Sequence, residues 1–256
     1  MGWARLILRS TLSLFFCLLM YLLGLIIKVC IPGKPRLRYR IVTRCTGFWG
    51  RTMARIWGMK IRVSGPIPAT PFFLVSNHVS YTDILLLCAV SPAWFVSKSE
   101  VAGWPGIGAL TRIGPTIYIN RESRKDVHRM NQLISDLIRD GGGVGFFPEG
   151  TTSDGRDVLP FKPSLLQAAI DLEIPVTTSA ICYQTTDSLP PPEEWVAWIG
   201  DEAFAPHAKR LLSGPGFTAH VRFSPDTLRL DNRKDLAVQA HAQVKNLLLD
   251  LQAELA

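Results

Sequence analysis

The first sixty residues contain no Asp or Glu, although they hold eleven Lys or Arg; the other 196 residues carry seventeen bases against twenty-one acids. Basic residues confined to one end do not suit a nucleic-acid partner, which asks for cations spread over a folded face with aromatics among them. They suit an anionic membrane surface. Cysteine is sparse: Cys17, Cys30, Cys45, Cys88 and Cys182 are far apart and form no CxxC pair. That excludes a disulfide framework and a zinc site, and no metal is expected. No GxGxxG or GxxxxGK follows a predicted strand, so the glycines around Trp104 read as a connection and not as a nucleotide loop. A GxSxG elbow, internal repeats and low-complexity segments are also missing.

What is present starts with an apolar run. Between Arg9 and Lys28 lie eighteen uncharged residues, about 27 Å of helix at roughly 1.5 Å per residue, enough to cross or embed in a bilayer. No small-residue cleavage site follows, so the run reads as a retained anchor and not a signal peptide. Lys28, Lys34, Arg36, Arg38, Arg40 and Arg44 follow it, which by the positive-inside rule places the downstream domain on the cytoplasmic side. From about Arg38 to Gly58, apolar and basic residues alternate at helical spacing, as in an amphipathic helix lying in the interface or packed on a soluble core. We therefore divide the chain into an anchor with a basic amphipathic helix, residues 1–60, and an α/β domain, residues 61–256.

The second part alternates strands with helices. Strands are expected at Lys60–Ser64, Pro71–Ser76, Trp94–Ser97, Thr116–Asn120, Val144–Phe147, Pro175–Tyr183 and Thr218–Phe223. Helices are expected at Tyr81–Val90, Val127–Ile138, Leu165–Leu172 and Lys234–Leu255, with a loop at Leu189–Pro192. The fold class is α/β, a mixed, largely parallel sheet flanked by helices, with the hydrophobic helix at its N-terminus.

The stretch that carries chemistry is Asn77–Asp83, NHVSYTD, at the end of an apolar strand. A neutral His accepts a proton near pH 7 when an acceptor holds its other nitrogen, and Asp83, five residues after His78, can fold back within a turn and a half of helix. The competing reading is that Ser76, Asn77 and Ser80 are ordinary helix caps. Two further strand ends bear polar groups: Glu149 and Gly150 in Phe147–Thr151, FPEGT, and Arg121 after Ile117–Asn120. Ligand sites of open α/β sheets lie at such carboxyl ends.

NHVSYTD, IYINR, FPEGT and Ile174-Pro175-Val176, in that order, resemble the four sequence blocks of the glycerolipid acyltransferase family, which includes 1-acylglycerol-3-phosphate acyltransferases. The likeness runs from about residue 70 to 180, and the hydrophobic front end is similar to the family's N-terminal membrane-binding helices. It implies that His78 deprotonates a lysolipid hydroxyl while Asp83 orients it, the oxygen then attacking the thioester of acyl-CoA or acyl-carrier protein. No cofactor beyond that co-substrate is implied. Asn77, Arg121, Glu149, Gly150, Thr151, Thr152 and Lys162 are the implied substrate-binding residues. Many members specific for lysophosphatidate have arginine directly after FPEGT, whereas this chain has Thr152, as in members acting on lyso-ornithine lipid or zwitterionic lysolipids. The resemblance points to phospholipid biosynthesis, with a 1-acyl-sn-glycerol-3-phosphate-type lysolipid as acceptor and partner and lyso-ornithine lipid as the alternative; the short chain and single anchor favour a bacterial inner membrane over an internal eukaryotic one. A hydrolase using the same His-Asp pair, or a lipid-binding module, are the rival readings.

Overall fold

The computed structural model describes residues 2–32, 35–91, 93–103, 108, 111, 116–120 and 123–255. Their strands are β1 (Met59–Ser64), β2 (Phe72–Ser76), β3 (Trp94–Lys98), β4 (Thr116–Ile119), β5 (Gly143–Phe146), β6 (Val176–Gln184) and β7 (Phe217–Phe223), joined in one sheet in the order β1-β7-β6-β2-β5-β3-β4. From β6 to β4 every pairing is parallel. The β7 strand runs against β6, and β1 lies parallel to β7 at the far edge. All five residues of β2 are buried, as a strand covered on both faces requires. Alternate residues of β7 are only half-buried, because one face of that end of the sheet is partly open.

Two layers of helix cover the sheet. On one side lie α1 (Gly2–Cys30), α2 (Pro35–Trp57), α3 (Thr82–Val90) and α7 (Phe204–Ser213). Their core includes Phe16, Met53, Trp57, Leu86 and Leu211 against Phe72, Leu74, Ile181 and Phe223 of the strands. On the other side lie α4 (Arg124–Arg139), α5 (Gln167–Asp171) with the 3-10 turn Pro163–Leu166 before it, and α8 (Arg233–Leu255), which pack Met130, Ile134, Leu166, Leu236 and Val244 against Phe73, Val75, Val144 and Val176. The short α6 (Pro192–Trp195) begins on the last proline of the expected loop, where a missing N–H costs a helix nothing.

The α1 helix lies along the domain for its whole length. Leu6, Arg9, Ser13, Phe16, Met20 and Ile27 are buried or half-buried, while Leu8, Leu14, Phe15, Leu18, Leu22 and Ile26 face outwards. The inward set repeats every three or four residues, the spacing of a packed helical seam. Arg9 donates to the carbonyls of Leu212 and Gly214 at the end of α7, and the Trp57 indole donates to Ser13. The α2 helix turns Met53, Ala54 and Trp57 inwards and Arg40, Arg44, Arg51 and Arg55 outwards, so it packs on the core and shows its charge at once. At Gly50 it comes so near α3 that a Cβ would sit 2.7 Å from the Ala89 nitrogen.

Candidate active site

The β2 strand is held to β6 as far as Ser76, whose backbone pairs with Ser179 and whose hydroxyl donates to the Ser179 carbonyl at 2.9 Å. Beyond it the backbone turns away, and the Asn77 side chain continues the ladder instead. Its amide nitrogen donates to the Ile181 carbonyl at 2.9 Å and its oxygen accepts the Ile181 N–H at 2.7 Å. Asn77 is fully buried. Its carboxamide is committed to β6, and it positions the loop that follows.

That loop brings His78 and Asp83 together. The His78 Nδ1 lies 2.7 Å from Asp83 Oδ2, and the same oxygen accepts the N–H groups of Val79 at 2.7 Å and Ser80 at 3.0 Å. The other oxygen, Oδ1, accepts the Tyr183 hydroxyl at 2.5 Å, and Thr82 donates to that hydroxyl at 2.9 Å. With Oδ2 acting as an acceptor throughout, the proton belongs on Nδ1, which leaves the Nε2 lone pair free. Asp83 is fully buried, whereas the His78 side chain is 19% exposed. The imidazole stacks on Phe147 with centroids 4.0 Å apart and planes 6° from parallel.

Glu149 reaches the same loop from the end of β5. Its Oε1 accepts the His78 N–H at 2.7 Å and its Oε2 the Leu159 N–H at 3.1 Å. Burial pushes this carboxyl up to about 8, against the pull of those two backbone hydrogen bonds. Both oxygens thus hold backbone N–H groups of the loops that form the site. Gly150 turns the chain after it with φ of +79°, a conformation that only glycine adopts without strain. Ser153 N–H then donates to the His78 carbonyl at 2.8 Å, and Trp198 N–H to that of Val79 at 3.0 Å.

The other expected residues are more dispersed. Thr151 and Lys162 are exposed. Thr152 donates its hydroxyl to the Trp198 carbonyl, tying the segment after Gly150 to the one before α7. Arg121 lies outside the described residues. Burial raises the thiols of Cys88, to about 12, and Cys182, to about 11, which removes both as thiolate nucleophiles.

An apolar cleft opens between α1, α2 and α3, lined by Met20, Ile27, Val42, Trp49, Ile84 and Phe95. Phe95 also stacks on Phe147, with ring centroids 6.5 Å apart, and so joins the cleft wall to the ring under His78.

A family model described as "Acyltransferase" matches residues 60–182. The lyso-ornithine lipid O-acyltransferase of Pseudomonas aeruginosa is 34% identical over 90% of this chain and 90% of its own length. The chain belongs to the acyltransferase family. A 1-acyl-sn-glycerol-3-phosphate acyltransferase of Neisseria meningitidis is 36% identical over 59% of this chain and 58% of its own. The crystal structure of the 1-acyl-sn-glycerophosphate acyltransferase PlsC from Thermotoga maritima has the same fold, with a TM-score of 0.69 at 21% identity, over 99% of this chain and 98% of that one.

Sequence reasoning on this acyltransferase missed Phe147 as the ring under His78, Tyr183 as the donor to Asp83 and Trp198 as a brace of the loop. For Phe147 and Tyr183 the available signal was an aromatic near the end of a strand, which reads equally well as core. His207 on α7 is a buried packing residue, whose Nε2 donates to the Ala197 carbonyl at 3.1 Å while its Nδ1 lies 2.7 Å from the Tyr81 hydroxyl.

Proposed function

We propose that this acyltransferase moves a fatty acyl group from the thioester of acyl-CoA or acyl-carrier protein to the free hydroxyl of a lysolipid. The observation that carries the reading is the 2.7 Å contact of His78 Nδ1 with the buried Asp83, on a ring whose other nitrogen is left for a substrate. In that reading His78 Nε2 takes the hydroxyl proton as the oxygen attacks the thioester carbonyl. The tetrahedral intermediate collapses with cleavage of the C–S bond, and the imidazolium returns its proton to the departing thiolate. Asp83 holds the tautomer and stabilises the transient imidazolium charge. General-base assistance of this kind is worth about a hundred- to ten-thousandfold in rate. The apolar cleft at Phe95 suits a fatty chain lying beside the thioester.

For the acceptor we favour lyso-ornithine lipid over 1-acyl-sn-glycerol-3-phosphate. Thr152 supplies no cation where a phosphate monoester would want one, and its hydroxyl is already bonded to Trp198. Arg156, a nearby base, is paired with Glu193 at 3.2 Å. The Pseudomonas aeruginosa relative covers far more of this chain than the Neisseria meningitidis one does.

The helix α1 is long and apolar enough to cross a membrane, and most of it is not buried in the protein. Its seam along the domain favours a helix half-sunk in one leaflet, with the basic outer stripe of α2 against lipid headgroups. The one-sided charge favours the cytoplasmic face of a bacterial inner membrane.

The test is thiol release from long-chain acyl-CoA and acyl-carrier protein by the purified protein, with lyso-ornithine lipid, lysophosphatidate and lysophosphatidylethanolamine offered separately. Release that requires lyso-ornithine lipid and is lost in His78→Ala, while membrane binding persists, is the expected result. Release without any acceptor would make the protein a hydrolase, and full turnover by His78→Ala would refute the base assignment.

A further inference from the structure

The last residues of β6 carry a phenol into the most buried part of the site. The Tyr183 ring packs edge-on against Phe217 at 5.7 Å, inside the core, so its hydroxyl is aimed by the sheet and not by solvent. Its two partners are both in the turn that opens α3: Thr82 Oγ1 donates to it at 2.9 Å, and it donates to Asp83 Oδ1 at 2.5 Å. The direction follows from inventory, since a carboxylate oxygen can only accept and a hydroxyl already receiving the Thr82 proton has its own to give.

Asp83 therefore uses its two oxygens differently. Oδ2 receives His78 and two backbone N–H groups, whereas Oδ1 receives Tyr183. A carboxylate pinned at one oxygen alone can still swing about its Cβ–Cγ bond; pinned at both it cannot.

We propose that Tyr183 is a positioning residue of the acyl-transfer site, which fixes the plane of the Asp83 carboxylate so that His78 is held correctly turned towards the substrate. The inference rests on the reading of His78 as the base. Burial first, and then the charge of Asp83, hold the phenol protonated far above neutral pH, so it acts as a permanent donor. The other titratable groups facing the pair are Glu149, from the end of β5 through the His78 backbone, and Cys182, beside Tyr183 on β6. Burial raises both, and both are common to the wild type and the variants below.

The experiment compares kcat and KM of the wild type with those of Tyr183→Phe, Thr82→Val and His78→Ala, with melting temperature as the check on folding. For Tyr183→Phe we expect kcat to fall about ten- to a hundredfold, the worth of a hydrogen bond to a charged group, with KM within about twofold. Thr82→Val should lower kcat the same way by less, as the phenol loses the bond that polarises it. A kcat that falls no further than the folded fraction in both variants would overturn the proposal and leave Tyr183 a core residue. Should Tyr183→Phe fail to fold, the kcat of Thr82→Val decides alone. Turnover that survives in His78→Ala would instead overturn the base reading itself.

Discussion

Each backbone polar group of His78, Val79 and Ser80 has a named partner. The three N–H groups go to Glu149, Asp83 and Asp83; the three carbonyls accept from Ser153, Trp198 and Asp83. A loop saturated in this way has no cheap alternative conformation, since every departure orphans a buried group at about 1–3 kcal/mol. Glu149 is the member with a pH signature. Its folded pKa of about 8 lies above its ordinary 4.5, so folding favours the protonated form. That contribution is fully present below about pH 4.5 and is lost as pH rises through 8. We expect stability to decline across this window by an amount on the order of a few kcal/mol. In Glu149→Gln the slope should flatten, and at pH 5 the variant should be about 1–3 kcal/mol less stable, because its amide nitrogen meets the Leu159 N–H. Denaturant melts at pH 5, 6.5 and 8 check both; a wild-type slope that persists in the variant would remove Glu149 as its source. His78, Asp83 and Glu149 were legible as a constellation because the NHVSYTD and FPEGT stretches each end a strand. The direction in which Glu149 and Asn77 face was not, since their partners Leu159 and Ile181 are fixed by tertiary packing and not by spacing.

Among the elements, the α2–α3 contact decides how well Asp83 is held. The α3 helix has no side-chain cap at its start, so its placement depends on neighbours, chiefly α2. Gly50 is what allows the approach: a Cβ there would come within 2.7 Å of the Ala89 nitrogen and 2.9 Å of the Cys88 carbonyl carbon. Gly50→Leu should thus wedge the helices apart, costing about 1–3 kcal/mol of stability as overpacking does. Because Asp83 sits in the first turn of α3, kcat should fall by more than the folded fraction does. A melt matched with turnover under the same conditions separates the two effects, and normal turnover in a destabilised protein would show that the dyad does not depend on this contact. Most elements announced themselves in the pattern of apolar residues, β2 by its continuous run and α4 by Met130, Ile134 and Ile138 at four-residue spacing. The α7 helix did not, because Phe204–Ser213 is short and follows a segment of prolines and tryptophans. Nor could pattern reveal that β7 runs against β6, since alternation along a strand carries no direction.

For the whole molecule the question is how a domain with a soluble core meets its lipid. The outward face of α1, with Leu14, Phe15, Leu18, Leu22 and Ile26, is too large an apolar surface to be left in water. The inward face is bound along its length, at one end by Arg9 on the carbonyls of α7 and at the other by Ile27 against the domain. Were α1 to cross the bilayer upright, one half of that seam would have to leave its partners or drag α7 and α2 into the hydrocarbon. The half-buried Arg9 contacts would be lost either way, at about 1–3 kcal/mol. A helix lying flat keeps the seam and still buries the outer face, and the basic stripe of α2 then meets the headgroups. We therefore expect both ends of α1 on the same side of the membrane. Cys30, exposed at its end, and a cysteine introduced by Ala4→Cys should both react with a membrane-impermeant maleimide added from the side that holds the domain. In the same preparation, Leu18→Asp with Ile26→Asp should reduce vesicle co-sedimentation severalfold, while turnover of a detergent-dispersed lysolipid is largely kept. Protection of the Ala4→Cys site until the vesicles are opened would mean that α1 spans the bilayer after all, and that its seam with α7 is broken in the membrane.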